Sequence, residues 1–187
     1  MDALGLVRQD HRKLEALLER CEQTGDDSAE ERAVLVDQLH TALRHHVEEE
    51  ETLLYPAFRQ PDHDLVARAT EQHRMITKLA DELAATPPAA DAFRPRVRIL
   101  ADQVRRHLDT EDGPLLTALE DLLDDATLLD LGRRLENRRH VVAAQEDLVA
   151  TTTGFLTRNQ PRIRAALAVL ATLAAIAVVR RRRRARP

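Results

Sequence analysis

The sequence predicts an all-α protein: an up-down-up-down four-helix bundle followed by a fifth helix and an apolar C-terminal helix. Three observations predict this fold class. The 187 residues include five Gly and no Trp, while the helix-favouring residues Leu, Ala, Glu and Arg are abundant. Apolar residues recur at steps of three and four residues in four successive segments. Short breaks separate these segments, so consecutive helices should run antiparallel.

The first three helices end at clear breaks in the pattern. We expect the first helix from about residue 3 to 24, ending where Gly25-Asp26-Asp27-Ser28 interrupts the periodicity. The second helix should run from about residue 28 to 58, with Pro56 marking its end or a bend. A third helix should follow the short connection at residues 60–62 and reach about residue 85.

The fourth helix begins near Asp91, and Gly113-Pro114 interrupts it, so the sequence predicts a kink there. Residues 124 to about 150 form a fifth, more polar segment with a narrow apolar edge. Together these segments predict a division of the chain into three parts. They are a helical bundle over residues 1–145, a linker over 146–162 and an apolar helix with a poly-Arg end over 163–187.

The C-terminal segment differs from the rest of the chain in charge. All 32 acidic residues and 19 of the 28 basic ones precede residue 148, and the remainder carries nine Arg and no acid. The uncharged run from Ala165 to Val179 would span about 22 Å as a helix, against roughly 30 Å of bilayer hydrocarbon. Arg164 and Arg180 flank it and can extend their charged ends towards lipid headgroups.

The tail therefore leaves several attachments open. They are a membrane anchor, an interfacial helix bound to anionic lipid, and a helix that binds a partner. Nucleic acid is not expected, because no aromatic residues are interleaved with the arginines. The N-terminal residues show no secretory signal pattern, so we expect a cytoplasmic protein that is membrane-associated if the tail anchors it.

A histidine interrupts the apolar stripe of every bundle helix. These inward residues are His11, His46, His73 and His107. Glu50 and Glu111 follow the second and fourth of them by four residues, so each pair lies on one helical face. A single histidine on an apolar face is usually a hydrogen-bonded core residue. Four histidines with two carboxylates would be costly in a core without a shared ligand, so the pattern predicts a metal site.

The types of donor narrow the choice of metal. One Cys in the chain gives no support for a thiolate site, and nitrogen and carboxylate donors suit iron, manganese or zinc. Two glutamates able to bridge indicate a paired centre. The sequence contains no Ser/His/Asp triad pattern, phosphate loop or nucleotide-binding fingerprint. We expect the neighbouring Glu48, Glu49 and Glu51 to form a solvated acidic face.

The chain resembles the hemerythrin-like, or HHE cation-binding, domain. The matching stretches are Asp10-His11 in the first helix, HVEEEETLLYP from His46 in the second, Glu71-Gln72-His73 in the third and HLDTED from His107 in the fourth. The segment LLDLGRRLENRR is similar to the C-terminal helix of that family. The resemblance covers roughly residues 1 to 140, with the motifs in the family's order and spacing.

The resemblance implies a bundle that holds two non-haem iron ions, bridged by an oxo or hydroxo group, with other divalent metals as alternatives. By position, the nitrogen ligands would be His11, His46, His73 and His107, and the bridging carboxylates would be Glu50 and Glu111. The chain departs from oxygen-carrying members at Thr77, which stands where they have a second histidine one turn after the first. Glu15, Thr77 and Asp112 are the candidates to complete the metal sphere.

A metal sphere that lacks one histidine has an open position, which favours dioxygen, nitric oxide or peroxide as a ligand. We therefore predict a protein that binds, senses or scavenges such a small redox molecule, or that handles iron. Weak redox activity towards peroxide or nitric oxide is compatible with this prediction, and no other enzymatic activity is expected. The alternative is a helical adaptor that binds no metal and attaches to a membrane or a partner through its basic C-terminal helix.

Overall fold

The structure of the protein is a computed structural model that describes residues 1–25, 28–57 and 63–145. Within these ranges the chain forms helices and turns and no β-strand, so the all-α fold class is confirmed. The helices are α1 (Ala3–Gln23), α2 (Ala29–Glu49), α3 (His63–Ala84), α4 (Phe93–Thr110), α5 (Leu116–Leu122) and α6 (residues 125–145). Each of the four long helices α1 to α4 packs against the next, and α1 also packs against α4, which closes the bundle.

The first helix has side-chain caps at both of its ends. The Asp2 carboxylate accepts a hydrogen bond of 2.7 Å from the backbone N–H of Gly5, which satisfies one of the free donors at the start of α1. At the other end the Thr24 hydroxyl donates to the carbonyl oxygen of Arg20, at 2.6 Å. These contacts fix where α1 begins and ends, and so place His11 near its middle.

Two π-helical turns continue the long helices. One covers Glu50–Leu54 and is followed by the 3₁₀ turn Tyr55–Ala57, and the other covers Glu111–Leu115. The helix predicted from about residue 28 to 58 therefore continues from α2 through these turns to Ala57, and its regular α-helical part ends at Glu49. The predicted interruption at Gly113-Pro114 takes the form of the second π turn, in which Pro114 has no N–H to donate. Both π turns begin at a glutamate that follows a buried histidine by four residues.

The core consists of two apolar clusters with a polar layer between them. The first, which we call the upper cluster, includes Leu14, Leu18, Leu39, Leu43, Ile76, Leu100 and Val104. The second, the lower cluster, includes Leu4, Val7, Leu54, Ala69, Leu115, Leu119 and Leu131. In α1 and α3 the buried histidine lies between residues of the two clusters, as His11 lies between Val7 and Leu14. In α2 and α4 the histidine follows residues of the upper cluster, and the π turn after the helix supplies the residue of the lower cluster, Leu54 or Leu115. The histidines therefore share one level of the bundle.

The chain contains two compact units. The chain divides into a unit over Met1–Asn137, which contains both apolar clusters, and a second unit over Arg138–Pro187. No helix among the described residues is both long and apolar enough to cross a membrane. The linker predicted over 146–162 and the apolar helix predicted over 163–187 lie outside the described residues, so the proposed anchor stays a prediction.

Candidate metal centre

The six predicted metal ligands come together in the polar layer, and each is at most 4% exposed. Each of the helices α1 to α4 contributes one histidine, and each π turn contributes one glutamate. The side chains are His11 from α1, His46 from α2, Glu50 from the first π turn, His73 from α3, His107 from α4 and Glu111 from the second π turn. We call this set the donor cluster.

Imidazole nitrogens and carboxylate oxygens face one another within the donor cluster. The Nε2 atom of His107 lies 3.1 Å from Nε2 of His46 and 3.1 Å from Nε2 of His73. Oε2 of Glu111 lies 3.3 Å from Nε2 of His107, and Oε2 of Glu50 lies 3.3 Å from Nε2 of His73. Two imidazole nitrogens this close must share a proton or face a common cation.

Two overlapping groups of four residues offer suitable ligand atoms for a metal ion. The first group is His46, Glu50, His73 and His107, and the second is His11, His46, Glu50 and Glu111. In each group one atom from every residue lies within 4.8 Å of the others. His46 and Glu50 belong to both groups, while His11 and His73 each belong to one.

The outer ring nitrogens of three histidines have polar partners that orient the rings. Nδ1 of His11 lies 2.9 Å from the Asp112 carboxylate, and Nδ1 of His73 lies 3.1 Å from the Glu51 carboxylate. Nδ1 of His107 lies 3.4 Å from the side-chain oxygen of Gln72. When a partner accepts a hydrogen bond from Nδ1–H, the lone pair on Nε2 is directed inwards, as metal-binding histidines require.

Three buried atoms of the donor cluster have no hydrogen-bond partner within the described residues. They are Nε2 of His11, Oε1 of Glu50 and Oε2 of Glu111. Nε2 of His11 lies 3.3 Å from that Glu111 oxygen and 3.8 Å from that Glu50 oxygen, so the three atoms border one space. An unsatisfied buried polar group is costly, and a cation bound between these atoms would satisfy all three. The side chains therefore fit a metal ion.

Charges within the metal-free cluster balance one another. Burial opposes the charge of His11, but the nearby carboxylates of Glu111 and Glu50 outweigh it and raise the pKa of His11 to about 10. Burial also opposes the charge of His73, yet Glu50 raises the pKa of this histidine. Burial lowers the pKa of His46 to about 4. Burial alone would raise the pKa of both glutamates, but the surrounding histidines lower it, that of Glu111 most.

Tyr55 is a further member of the polar layer that the sequence analysis did not select. Its hydroxyl donates to Oε2 of Glu50 at 3.2 Å and to Oε1 of Glu111, and it lies 3.3 Å from Nε2 of His73. Burial and the two carboxylates raise the pKa of this phenol. A residue five positions after Glu50 would lie about 140° away on a regular α-helix, and the π turn brings it back to the same face.

The three candidates for the last metal ligand lie outside the donor cluster. The Glu15 carboxylate pairs with Arg105, whose Nε lies 3.3 Å from both of its oxygens, and Thr77 is exposed. Asp112 contacts the outer nitrogen of His11 and not the inner one. The predicted acidic face was wrong for Glu49, which is buried. Glu51 is exposed as predicted, and its carboxylate also lies 3.1 Å from Nδ1 of His73.

Comparison with known proteins agrees with this geometry. Residues 2–119 match the family described as Hemerythrin HHE cation binding domain, a range that contains the whole donor cluster. The chain belongs to this family. A crystal structure of an HHE cation binding domain-containing protein from Mycobacterium kansasii is similar, with a TM-score of 0.67 and 25% identity over 74% of this chain and 85% of that one. The predicted hemerythrin-like bundle is thus confirmed.

Two relatives are similar to this chain over much of its length. The uncharacterised protein Rv2633c of Mycobacterium tuberculosis is 26% identical over 139 residues, which cover 74% of this chain and 85% of that protein. A DNA nickase of Nostoc sp. is 31% identical over 125 residues, which cover 66% of this chain. The match spans only 35% of the nickase. Family membership and the buried His/Glu cluster together support a metal cofactor.

Proposed function

We propose that the donor cluster holds two non-haem iron ions, and that the loaded protein binds, senses or scavenges a small redox molecule or handles iron. Dioxygen, nitric oxide and peroxide are the molecules that such a centre would take. The observation that carries the proposal is a set of three buried donor atoms, on His11, Glu50 and Glu111, that have no hydrogen-bond partner among the described residues. Without a bound cation these polar atoms would remain unsatisfied in the core of the bundle.

The two overlapping donor groups support a paired centre. His73 and His107 would serve one ion, and His11 and Glu111 the other, while the shared His46 and Glu50 lie between the two positions. Glutamates that project inwards between facing helices are the common device for two-metal sites in bundles. Nitrogen and carboxylate donors without thiolate suit iron, with manganese and zinc as alternatives.

The chain itself would prepare the centre for ligands. Bound iron would supply an exchangeable coordination position and a change of oxidation state. Asp112, Glu51 and Gln72 hold three imidazole rings in place, and Tyr55 presents an O–H donor at the edge of the cluster. The apolar clusters cover the layer from above and below. A single donor hydroxyl in a buried site is suited to a small polar ligand.

Metal analysis with optical spectra tests the proposal directly. Purified protein loaded with Fe(II) should retain about two irons per chain and change its absorption between nitrogen, air and nitric oxide. The double substitution His46→Ala and His107→Ala should remove both the metal and the spectral changes. His140→Ala is the matched control, because His140 is exposed. Wild-type protein that retains no metal, or a double variant that retains it fully, would overturn the proposal.

The adaptor hypothesis makes the opposite prediction for the same variants. If the chain were a helical adaptor without metal, added iron would not change the unfolding temperature of the wild-type protein. His46→Ala would then alter stability equally with and without iron. A metal-dependent rise in stability that disappears in His46→Ala counts against the adaptor and for the metal centre.

Nicking of DNA is a second candidate activity, favoured by the Nostoc relative that is named a DNA nickase. The basic run Arg180–Arg184 would supply cations for phosphate contacts. Conversion of supercoiled plasmid to its open circular form by the iron-loaded protein tests this candidate. The double variant at His46 and His107 should be inactive, and equal nicking by both proteins would separate the activity from the donor cluster.

A further inference from the structure

Two surface pockets lead to the donor cluster between different pairs of helices. The α1–α4 pocket has a volume of about 570 Å³, and four carboxylates, including Asp109 and Asp112, line it together with three arginines and His11. The α2–α3 pocket has a volume of about 490 Å³, and its lining includes Glu51 and His73. Each pocket therefore contains one histidine of the donor cluster and the carboxylate that holds it.

The carboxylate in each pocket bridges solvent and the buried layer. The Asp112 side chain is 46% exposed and contacts Nδ1 of His11, which is buried. The Glu51 side chain is 39% exposed and contacts Nδ1 of His73, which is also buried. Neither carboxylate belongs to the two groups of candidate ligands, so both are free to act from outside them. A half-exposed carboxylate attracts a cation, and its hydrogen bond fixes the ring that must receive it.

Each pocket belongs to a different candidate metal position. His73 occurs only in the first group of four donors, and His11 occurs only in the second. The α2–α3 pocket thus borders a donor of the first group, and the α1–α4 pocket borders a donor of the second. Separate pockets would give each position its own route from solvent.

We propose that the two cation positions are filled through separate entrances. Glu51 with His73 receives a divalent cation in the α2–α3 pocket, and Asp112 with His11 receives one in the α1–α4 pocket. Glu51 and Asp112 are positioning residues: they hold the histidine rings and draw the cation in, and they do not ligate it. This inference rests on the proposed two-metal centre, and its subject is how that centre is filled.

Rapid-mixing uptake of Co(II) by metal-free full-length protein tests the two entrances, because cobalt bound by nitrogen and oxygen donors absorbs visible light. We expect two kinetic phases in the wild-type protein. Glu51→Gln should slow one phase about tenfold or more, and Asp112→Asn should slow the other by a similar factor. The double variant should slow both phases and still bind about two cobalt ions per chain at equilibrium.

Matched controls separate positioning from general electrostatics. Glu82→Gln removes a carboxylate from the α2–α3 pocket, where Glu82 pairs with Arg96. Asp109→Asn removes one from the α1–α4 pocket, where Asp109 forms no ion pair with His11 in the described structure. Both controls should load at wild-type rates. Circular dichroism of each metal-free variant verifies that the bundle is folded. Removal of cobalt by EDTA should also show two kinetic phases, one slowed by Glu51→Gln and the other by Asp112→Asn.

Several results would overturn the separate entrances. Slowing of the same phase by both substitutions would indicate one shared entrance, and equal slowing by the controls would leave only surface charge as the cause. Uptake of two cobalt ions at unchanged rates in the double variant would sink this inference and leave the metal centre standing. Wild-type protein that takes up no cobalt and no iron would overturn both proposals.

Discussion

The upper apolar cluster and the polar layer are equally buried, yet they differ in how their atoms are satisfied. Leu100 and Leu18 are fully buried among other apolar side chains, so their environment is complete within the protein. Glu111 is also fully buried, but one of its oxygens has no hydrogen-bond partner among the described residues. The comparison teaches that the upper cluster stabilises the bundle, whereas the polar layer contains buried atoms that a bound metal ion would satisfy.

The largest expected effect tests the apolar side of this comparison. Leu100→Ala should lower the free energy of unfolding by about 2–5 kcal/mol, because it leaves a cavity in the upper cluster. The loss, measured by urea unfolding, should be the same with and without bound metal. Ile99→Ala is the control, since Ile99 is largely exposed, and it should be nearly neutral. A loss that depended on metal would mean that the two regions are coupled.

The second effect tests the polar layer by the same measurement. Metal should raise the free energy of unfolding by about 2.7 kcal/mol when its free concentration is 100 times its dissociation constant. His46→Ala should abolish this gain, because His46 belongs to both donor groups. His140→Ala should retain the gain in full. An undiminished gain in His46→Ala would show that metal acts elsewhere on the chain.

The third effect is the dependence of the stability of the metal-free protein on pH. Burial lowers the pKa of His46 to about 4, so between pH 6.5 and 4 the unfolded chain binds a proton that the folded chain does not. The contribution of His46 to stability should therefore fall by about 1–2 kcal/mol from pH 7 to 5. The pKa values of His11 and His73 are raised, so over the same range the unfolded chain is still taking up protons that the folded chain already holds. The contributions of these two histidines therefore rise as the pH falls and offset part of the loss.

Thermal unfolding in the presence of a chelator measures this pH dependence. His46→Leu should lose less stability than the wild-type protein between pH 7 and 5, because it removes the group that takes up a proton only in the unfolded state. Equal slopes in the two proteins would assign the dependence to other groups. The comparison of the two proteins thus distinguishes the pH dependence that arises in the polar layer from the pH dependence that arises from surface carboxylates.

The smallest effect concerns Tyr55. Tyr55→Phe removes an O–H donor to Glu50 and Glu111 and should cost about 1 kcal/mol in the metal-free protein. Bound metal should remain at about two ions per chain, since the six donors are unchanged. Metal analysis and thermal unfolding measure both quantities. A drop in bound metal would show that the phenol is itself a ligand and would enlarge the polar layer by one donor.

The fold and the six donors were accessible from the sequence because both depend on helical spacing. Apolar steps of three and four residues predict which face of a helix is buried, and a histidine within such a stripe must point inwards. The pairs His46–Glu50 and His107–Glu111 lie one turn apart, so local geometry alone places each pair on one face. Antiparallel packing then brings the four walls together.

The remaining polar contacts depended on the tertiary structure. Glu51 and Asp112 looked like members of acidic runs, and only the packing of α3 and α1 shows that they hold His73 and His11. Tyr55 reaches the cluster through a π turn, which depends on interactions across the bundle and leaves no distinct pattern in the sequence. Helical periodicity decides which side chains face inwards, because it is local. Which atoms those side chains meet is decided by the neighbouring helices.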